Sequence, residues 1–103
     1  MLFTWFEREL PLRSTGLDRE SPVMPGTVIA VSRERFSALG LFDPYLEIWG
    51  GENIEFSFKT WMCGGSVLQV TCSHVAHIYR KPLHADVARM FRNLFRVAEV
   101  WMD

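Results

Sequence analysis

The segment Trp49-Gly50-Gly51-Glu52-Asn53 carries residue types that could bind a ligand. Two adjacent glycines allow a sharp backbone turn or a close approach of backbone to a bound molecule. Trp49 offers a flat apolar face of the kind that stacks on sugar rings, and Glu52 and Asn53 offer hydrogen-bonding groups for hydroxyls. Both polar residues stand at a predicted helix start, where capping is their alternative role. The residues themselves leave open a ligand site and a capped, packed turn.

His74 and His77 form a His-x-x-His group, which could hold one metal ion if it lay in a helix. We predict extended chain here, and an odd separation along a strand places two side chains on opposite faces. Only one imidazole then enters a given site, whereas a metal site needs three or more ligands. Arg80 follows closely, and its guanidinium suits a phosphate, although a solvated loop charge is the simpler interpretation.

The two cysteines, Cys63 and Cys72, are compatible with one disulfide, with two bridges to other partners, or with none. With His74 and His77 they suggest zinc, but their spacing matches no usual zinc pattern. A small zinc protein is therefore the least favoured interpretation of the sequence.

The elements around these groups follow from local signals. A β-branched run over 27–31 predicts a buried strand. Ser32 then predicts the N-cap of a short helix over 33–39, which ends at Gly40. Phe36 and Leu39 are expected to point inward from this helix.

A second helix is predicted for about residues 53–62, ended by Gly64-Gly65. Its apolar stripe at helical spacing consists of Ile54, Phe58, Trp61 and Met62. Glu55 and Lys59 form a favourable i,i+4 pair on the other side of the helix.

The last part of the sequence predicts a strand over 66–71 and a helix over about 86–101. One helix face is apolar and is expected to be buried: Val87, Met90, Phe91, Leu94, Ala98 and Trp101. A second face carries three arginines and is expected to be solvated: Arg89, Arg92 and Arg96.

The composition is that of a folded chain without a strongly charged partner. Of 103 residues, 49% are hydrophobic and 14% are aromatic, which excludes a disordered tail. The formal net charge of −1 argues against binding to nucleic acid or to a charged membrane surface. No run of about 20 apolar residues is present, so no membrane-spanning segment is predicted. Prolines and glycines punctuate residues 1–26, which we predict to be an irregular connecting segment before a second part over 27–103.

Four stretches, in this order, resemble the polypeptide N-acetylgalactosaminyltransferases, the enzymes that start mucin-type O-glycosylation. They read WGGENIEFSF at 49–58, WMCGG at 61–65, CSHVAHIYRK at 72–81 and AEVWMD at 98–103. The resemblance implies an α/β fold of the GT-A class, a Rossmann-like domain that binds a UDP-sugar and a divalent metal. It covers only the C-terminal half of that catalytic domain, with few strands and flanking helices, so 27–103 is predicted to be the C-terminal part of such a domain.

The resemblance also implies roles for individual residues. Glu52 and Asn53 match catalytic-site residues around the hydroxyls of N-acetylgalactosamine (GalNAc), and Trp49 matches the aromatic residue that gates the donor UDP-GalNAc. Arg80 matches a residue that contacts the donor diphosphate, and His77 matches one ligand of Mn²⁺. The other metal ligands belong to an Asp-x-His motif that this sequence lacks. The family's cysteines at positions 63 and 72 pair with partners elsewhere in a longer chain.

Two departures from the family pattern bear on the donor site. The family has two adjacent glycines near the donor sugar, whereas this sequence has Gly26 followed by Thr27, whose branched side chain would meet the sugar. The family's longer flexible loop after Lys81, which closes over the donor, is replaced by residues 82–85, which run quickly into the last helix.

The resemblance implies retaining transfer of GalNAc from UDP-GalNAc to Ser or Thr of a polypeptide, in the Golgi lumen, although no targeting signal is visible. We predict that the 103-residue chain does not catalyse this transfer by itself. The alternative is a non-catalytic interaction protein or pseudoenzyme that docks on the missing half-domain or on a full-length transferase. The high aromatic content favours that alternative.

Overall fold

The computed structural model describes residues 18–71, 73–78 and 87–102. Along these ranges the elements are β1 Arg19–Glu20, α1 Arg33–Ala38, α2 Glu52–Met62, β2 Leu68–Gln69 and α3 Val87–Trp101. The two strands pair antiparallel, with Arg19 opposite Gln69 and Glu20 opposite Leu68. This ladder joins the chain before α1 to the chain after α2.

Helix α1 begins at the predicted residue and ends one residue earlier than predicted, at Ala38. The hydroxyl of Ser32 accepts a hydrogen bond from the backbone N–H of Arg35 at 3.1 Å, which caps the first turn. The last turn closes at Gly40, and the N–H of Leu41 donates back to the carbonyl of Phe36 at 3.1 Å. Local capping chemistry therefore sets where this six-residue helix begins and ends.

The described core is small and centred on Phe56 of α2. Phe56 is buried with Met24 and Leu39, and Phe36 and Val67 pack against this cluster. The rings of Phe36 and Phe56 meet edge to face with centroids 5.3 Å apart, a geometry worth about 1 kcal/mol beyond area burial. The core thus joins α1 and α2 through the segment that contains Met24.

The predicted inward stripe of α2 is wrong, although the helix bounds are confirmed. Met62 is 65% exposed, and Ile54, Phe58 and Trp61 are only half-buried. The buried face consists of Glu55, Phe56, Ser57 and Thr60. Two small hydroxyls can be buried there because each donates to the backbone carbonyl four residues earlier in the helix.

The predicted strands are shorter than expected or absent from the described chain. Residues 27–31 have no regular secondary structure, and Val28, Ile29 and Val31 are exposed by 52%, 38% and 41%. Of the strand predicted over 66–71 only β2 forms, and residues 73–78 are irregular. A β-branched run forms a strand only when a neighbour pairs with it, and no described segment pairs with residues 27–31.

Helix α3 is confirmed over its described residues, but its buried face differs from that predicted. Its buried residues are Asn93 and Val97, whereas Val87 and Phe91 of the predicted apolar face are more than half exposed. The arginine face is solvent-accessible as predicted, with side chains 38% to 58% exposed, and it also contacts the loop between α1 and α2.

Residues 18–26 are tied to the fold more closely than a connecting segment implies. They contain β1, the buried Ser21 and the core residue Met24. The carbonyl of Ser21 accepts a hydrogen bond from the indole Nε1 of Trp61 at 3.2 Å. Over the described chain, no helix has both the length and the apolar content needed to cross a bilayer.

Candidate functional site

The turn before α2 has the unusual backbone that the double glycine suggests. Gly50 and Gly51 have φ angles of +98° and +93°, and Ile48 has +50°. A side chain is disfavoured in this left-handed region, so glycine fits here at no steric cost. Gly51 itself is the N-cap, and no side chain caps the helix by hydrogen bonding. The capping alternative for Glu52 and Asn53 is therefore wrong.

The first turn of α2 is fastened to the segment before Gly26. Asn53 Nδ2 donates to the carbonyl of Met24 at 3.0 Å, and the N–H of Met24 donates to Ser57 Oγ at 3.0 Å. A Cβ added to Gly26 would lie 3.6 Å from Asn53 Cγ, so the two residues are direct neighbours. The hydrogen bond to the Met24 carbonyl thus fixes the orientation of the Asn53 side-chain amide.

An open cavity of about 170 Å³ lies between these two segments. It brings together three predicted site residues, Gly26, Glu52 and Asn53, from segments far apart in sequence. The remaining lining is Met24, Pro25, Thr27, Val28, Ile29 and Phe42. Backbone and apolar groups on one side and a carboxylate and an amide on the other can bind a molecule with an apolar face and hydroxyls.

Trp49 lies on a second, neighbouring cavity of about 240 Å³. Glu52 lines both cavities, so it connects the predicted gate to the other predicted site residues. Trp49 is 60% exposed, which leaves most of its ring surface available for contact.

Two acidic residues of the 43–49 loop pair with the arginines of α3. Arg96 Nε lies 2.7 Å from Asp43 Oδ2, and Arg96 Nη2 lies 3.2 Å from Asp43 Oδ1. This hydrogen bonding lowers the pKa of the Asp43 carboxyl and raises the pKa of the Arg96 guanidinium. Glu47 Oε2 lies 3.5 Å from Arg89 Nε and 3.3 Å from Arg92 Nη2. The arginine face of α3, which the sequence predicts to be solvated, therefore also forms ion pairs with the 43–49 loop.

Asn93 is the residue of this region that the sequence reasoning missed. It is 2% exposed and makes four hydrogen bonds to backbone groups of residues 47–50. One signal could have identified it: Asn93 stands on the apolar side of α3, three residues after Met90 and four before Val97. A polar side chain in that position needs partners on the element that covers it.

The remaining predicted site residues are not brought to the cavity by the described structure. His77 is exposed in the irregular stretch 73–78 and lines neither cavity. Arg80 and Cys72 lie outside the described residues, and Cys63 is exposed and unbridged within them. No cluster of three or more His, Cys, Asp or Glu side chains suited to a metal occurs in the described ranges.

Comparison with known proteins gives a consistent picture. A family model described as the N-terminal domain of galactosyltransferase matches residues 9–84. The mouse and human proteins named polypeptide N-acetylgalactosaminyltransferase 10 are each 58% identical over 87 residues, covering 82% of this chain and 14% of theirs. Rat N-acetylgalactosaminyltransferase 7 is 47% identical over 105 residues, covering 93% of this chain and 16% of its own.

A similar solved structure is the crystal structure of GalNAc-T7 with UDP, GalNAc and Mn²⁺. It superposes with a TM-score of 0.76 at 45% sequence identity, over 86% of this chain and 18% of that one. The chain thus spans about one seventh to one fifth of the proteins that it resembles.

Proposed function

Because the chain belongs to the polypeptide N-acetylgalactosaminyltransferase family, we propose that it forms part of the site that transfers GalNAc from UDP-GalNAc to Ser or Thr of polypeptides. Its architecture is part of a GT-A glycosyltransferase domain, with helices and a small sheet. In the domain division that we propose, residues 27–103 belong to the C-terminal part of the catalytic domain, and 1–26 lead into it.

The observation that carries this proposal is the cavity that joins Gly26 to Glu52 and Asn53. In our proposal the backbone at Gly26 supports one face of the GalNAc ring. The carboxylate of Glu52 accepts hydrogen bonds from sugar hydroxyls, and the amide of Asn53 orients the sugar beside it. Trp49, next to Glu52 on the neighbouring cavity, covers the donor from the other side.

Two further assignments rest on the family resemblance. We assign Arg80 to the donor diphosphate, since a guanidinium can pair with phosphate oxygens through two hydrogen bonds. We assign His77 as one ligand of Mn²⁺, an ion that the GalNAc-T7 crystal structure contains. The other ligands would have to come from outside this chain, because one imidazole cannot hold the ion.

The exposed apolar surface of the chain supports a partner in the rest of the domain. Large apolar side chains are exposed along 28–31 and in and after β2, namely Val28, Ile29, Val31, Leu68, Val70, Val75 and Ile78. Oε2 of the buried Glu55 also meets no hydrogen-bond donor among the described residues. We propose that the other half-domain covers this surface and that Cys63 and Cys72 bridge to it, in a Golgi-lumenal enzyme.

A chimera tests the proposal. The matched 87 residues would replace their counterpart in mouse polypeptide N-acetylgalactosaminyltransferase 10, and transfer from UDP-GalNAc to a Ser/Thr peptide would be measured. We expect an active chimera, in which Glu52→Gln lowers kcat/KM roughly a hundredfold, the size of loss seen when a charge-stabilising hydrogen bond is removed. Glu34→Gln, the same change in the first turn of α1, is the matched control. A folded but inactive chimera would refute the assignment.

The alternative, a non-catalytic docking protein, makes a different prediction for the 103-residue chain. It would bind a full-length transferase tightly, and its segment would fail to support transfer in the chimera. The exposure of large apolar side chains such as Val28 and Ile78 is the observation that favours it. Co-elution of the purified chain with the mouse enzyme in size-exclusion chromatography, set against the activity of the chimera, separates the two functions.

A further inference from the structure

Asn93 of α3 fastens the loop that carries Trp49. Its Nδ2 donates to the carbonyls of Glu47, Trp49 and Gly50 at 2.8, 3.2 and 2.9 Å. Its Oδ1 accepts a hydrogen bond from the N–H of Glu47 at 2.9 Å. We propose that Asn93 is the positioning residue that sets the backbone on both sides of Trp49 and thereby the place from which its ring reaches a ligand.

The four hydrogen bonds between Asn93 and the backbone of residues 47–50, here called the clamp, require the donor and the acceptor of an asparagine amide. Two hydrogens on Nδ2 serve three carbonyls, so one hydrogen is shared, while the oxygen serves one N–H. A flipped amide would place its oxygen against three carbonyl oxygens, so the neighbours fix the orientation. Aspartate has the same shape and keeps the acceptor but has no donor. Glutamine has both groups, but its extra methylene would have to fit between α3 and the loop.

The rest of α3 reinforces the same loop. Met90 lies against Gly50, where an added Cβ would approach Met90 Cγ to 2.9 Å, and Val97 lies against Gly51. Arg89 and Arg92 contact the carboxylate of Glu47. Apolar and charged side chains of α3 therefore contact the loop on either side of Asn93, which is the buried polar residue between them.

The consequence for Trp49 is a fixed backbone with an exposed ring. The Trp49 carbonyl is bound to Asn93 and its N–H donates to the carbonyl of Glu47, yet the residue is 60% exposed. Movement of the indole is then confined to rotation about its side-chain bonds. The link between this position and donor binding rests on the proposed function, whereas the clamp itself does not.

Native-state hydrogen exchange on the unaltered chain is the first test. The amide of Glu47 should be protected to within about tenfold of the amides of α3, because it opens only when the helix and loop separate. Free exchange of this amide, at the rate of an exposed loop, would overturn the proposal. This measurement needs no substitution, so it stands even if every Asn93 variant fails to fold.

The second test uses Asn93→Asp, with Leu39→Ala as the control for lost stability, because Leu39 is buried in the core cluster at the end of α1. Chains labelled with 5-fluorotryptophan give one ¹⁹F resonance per tryptophan, and Trp49→Phe identifies that of Trp49. We expect Asn93→Asp to shift or broaden the Trp49 resonance and to speed Trp49 amide exchange at least tenfold relative to Leu39→Ala. Equal effects of the two substitutions would show that Asn93 is only a buried structural residue.

The same substitutions in the chimera connect the clamp to the donor. Asn93→Asp should raise KM for UDP-GalNAc at least fivefold with a smaller change in kcat, whereas Leu39→Ala, in the core and on neither cavity, should leave both close to the parent chimera. An unchanged KM would overturn the link to donor binding. If the unaltered chimera is inactive, the proposed function fails, and the exchange and ¹⁹F results still decide whether Asn93 positions Trp49.

Discussion

The guanidinium of Arg96 holds the carboxylate of Asp43 through two hydrogen bonds, and the Tyr45 ring lies against the same guanidinium, 4.7 Å from Cζ. The backbone N–H of Tyr45 donates to Asp43 Oδ1 as well. These contacts join the start of the loop to α3, at the end opposite to Gly50. They also lower the pKa of Asp43 below its ordinary value of 3.8.

The first prediction concerns acid stability. Since the folded pKa of Asp43 is lower than its unfolded pKa, the unfolded state binds more protons as pH falls through this range. The stabilisation is complete above the unfolded pKa and is lost as pH falls through the folded pKa. We expect Asp43→Asn to flatten the fall of the melting temperature between about pH 5 and pH 2. Glu34→Gln, in the first turn of α1, should leave that slope unchanged.

The second prediction separates backbone strain from crowding in the glycine turn. Gly40 and Gly50 both have positive φ angles, but a Cβ at Gly40 would meet nothing within 4 Å, whereas one at Gly50 would meet Met90. Gly40→Ala should therefore cost about 1 kcal/mol of unfolding free energy from strain. Gly50→Ala should cost about 2 to 4 kcal/mol, since overpacking adds to strain. Equal losses in urea unfolding would contradict the close contact with Met90.

The third prediction concerns the buried hydroxyl of Ser57. Ser57→Ala leaves the N–H of Met24 without its partner and should cost about 1 to 3 kcal/mol, the penalty for an unsatisfied buried donor. Thr60→Val is the control, because the Thr60 hydroxyl donates only to a carbonyl of its own helix. Its loss should stay below about 1 kcal/mol. A smaller effect at Ser57 than at Thr60 in the same unfolding assay would contradict this prediction.

The fourth prediction addresses Thr27 on the wall of the first cavity. If GalNAc lies against this wall, Thr27→Gly in the chimera should lower KM for UDP-GalNAc roughly tenfold, the scale of one methyl-sized contact. Thr27→Ser removes only the methyl group, so its KM should lie between those of the parent chimera and Thr27→Gly. An unchanged or higher KM with glycine would place the sugar elsewhere.

Local signals predicted the helices better than the surfaces that these helices bury. Ser32 and Gly40 fix α1 by hydrogen bonds within a few residues, so neighbouring sequence is enough. The strand over 27–31 could not be judged in this way, because pairing depends on a distant partner. The buried face of α2 was mispredicted because Ser57 and Thr60 satisfy their hydroxyls within the helix, which a hydrophobic pattern does not show.

The candidate site likewise contains residues that a motif identified and one residue that no local signal identified. Gly26, Glu52 and Asn53 line one cavity, and their roles at a ligand stay predictions. Asn93 was not predicted, because its role lies in bonds to backbone groups, and backbone groups have no sequence signature. His77 lines neither cavity, and the roles of His77 and Arg80 at the metal and the diphosphate stay predictions.

The clamp of Asn93 on Glu47 has a consequence for synthesis of the chain. Its partners lie 43 to 46 positions apart in sequence. At 5 to 20 residues per second, a ribosome needs about 2 to 9 s to add the residues between them. During that interval the loop carbonyls can hydrogen-bond only to water, because the Asn93 amide that binds them in the folded chain has not yet been made. A nascent chain that stops short of Asn93 would contain Trp49, Glu52 and Asn53 and would still lack the geometry that relates them.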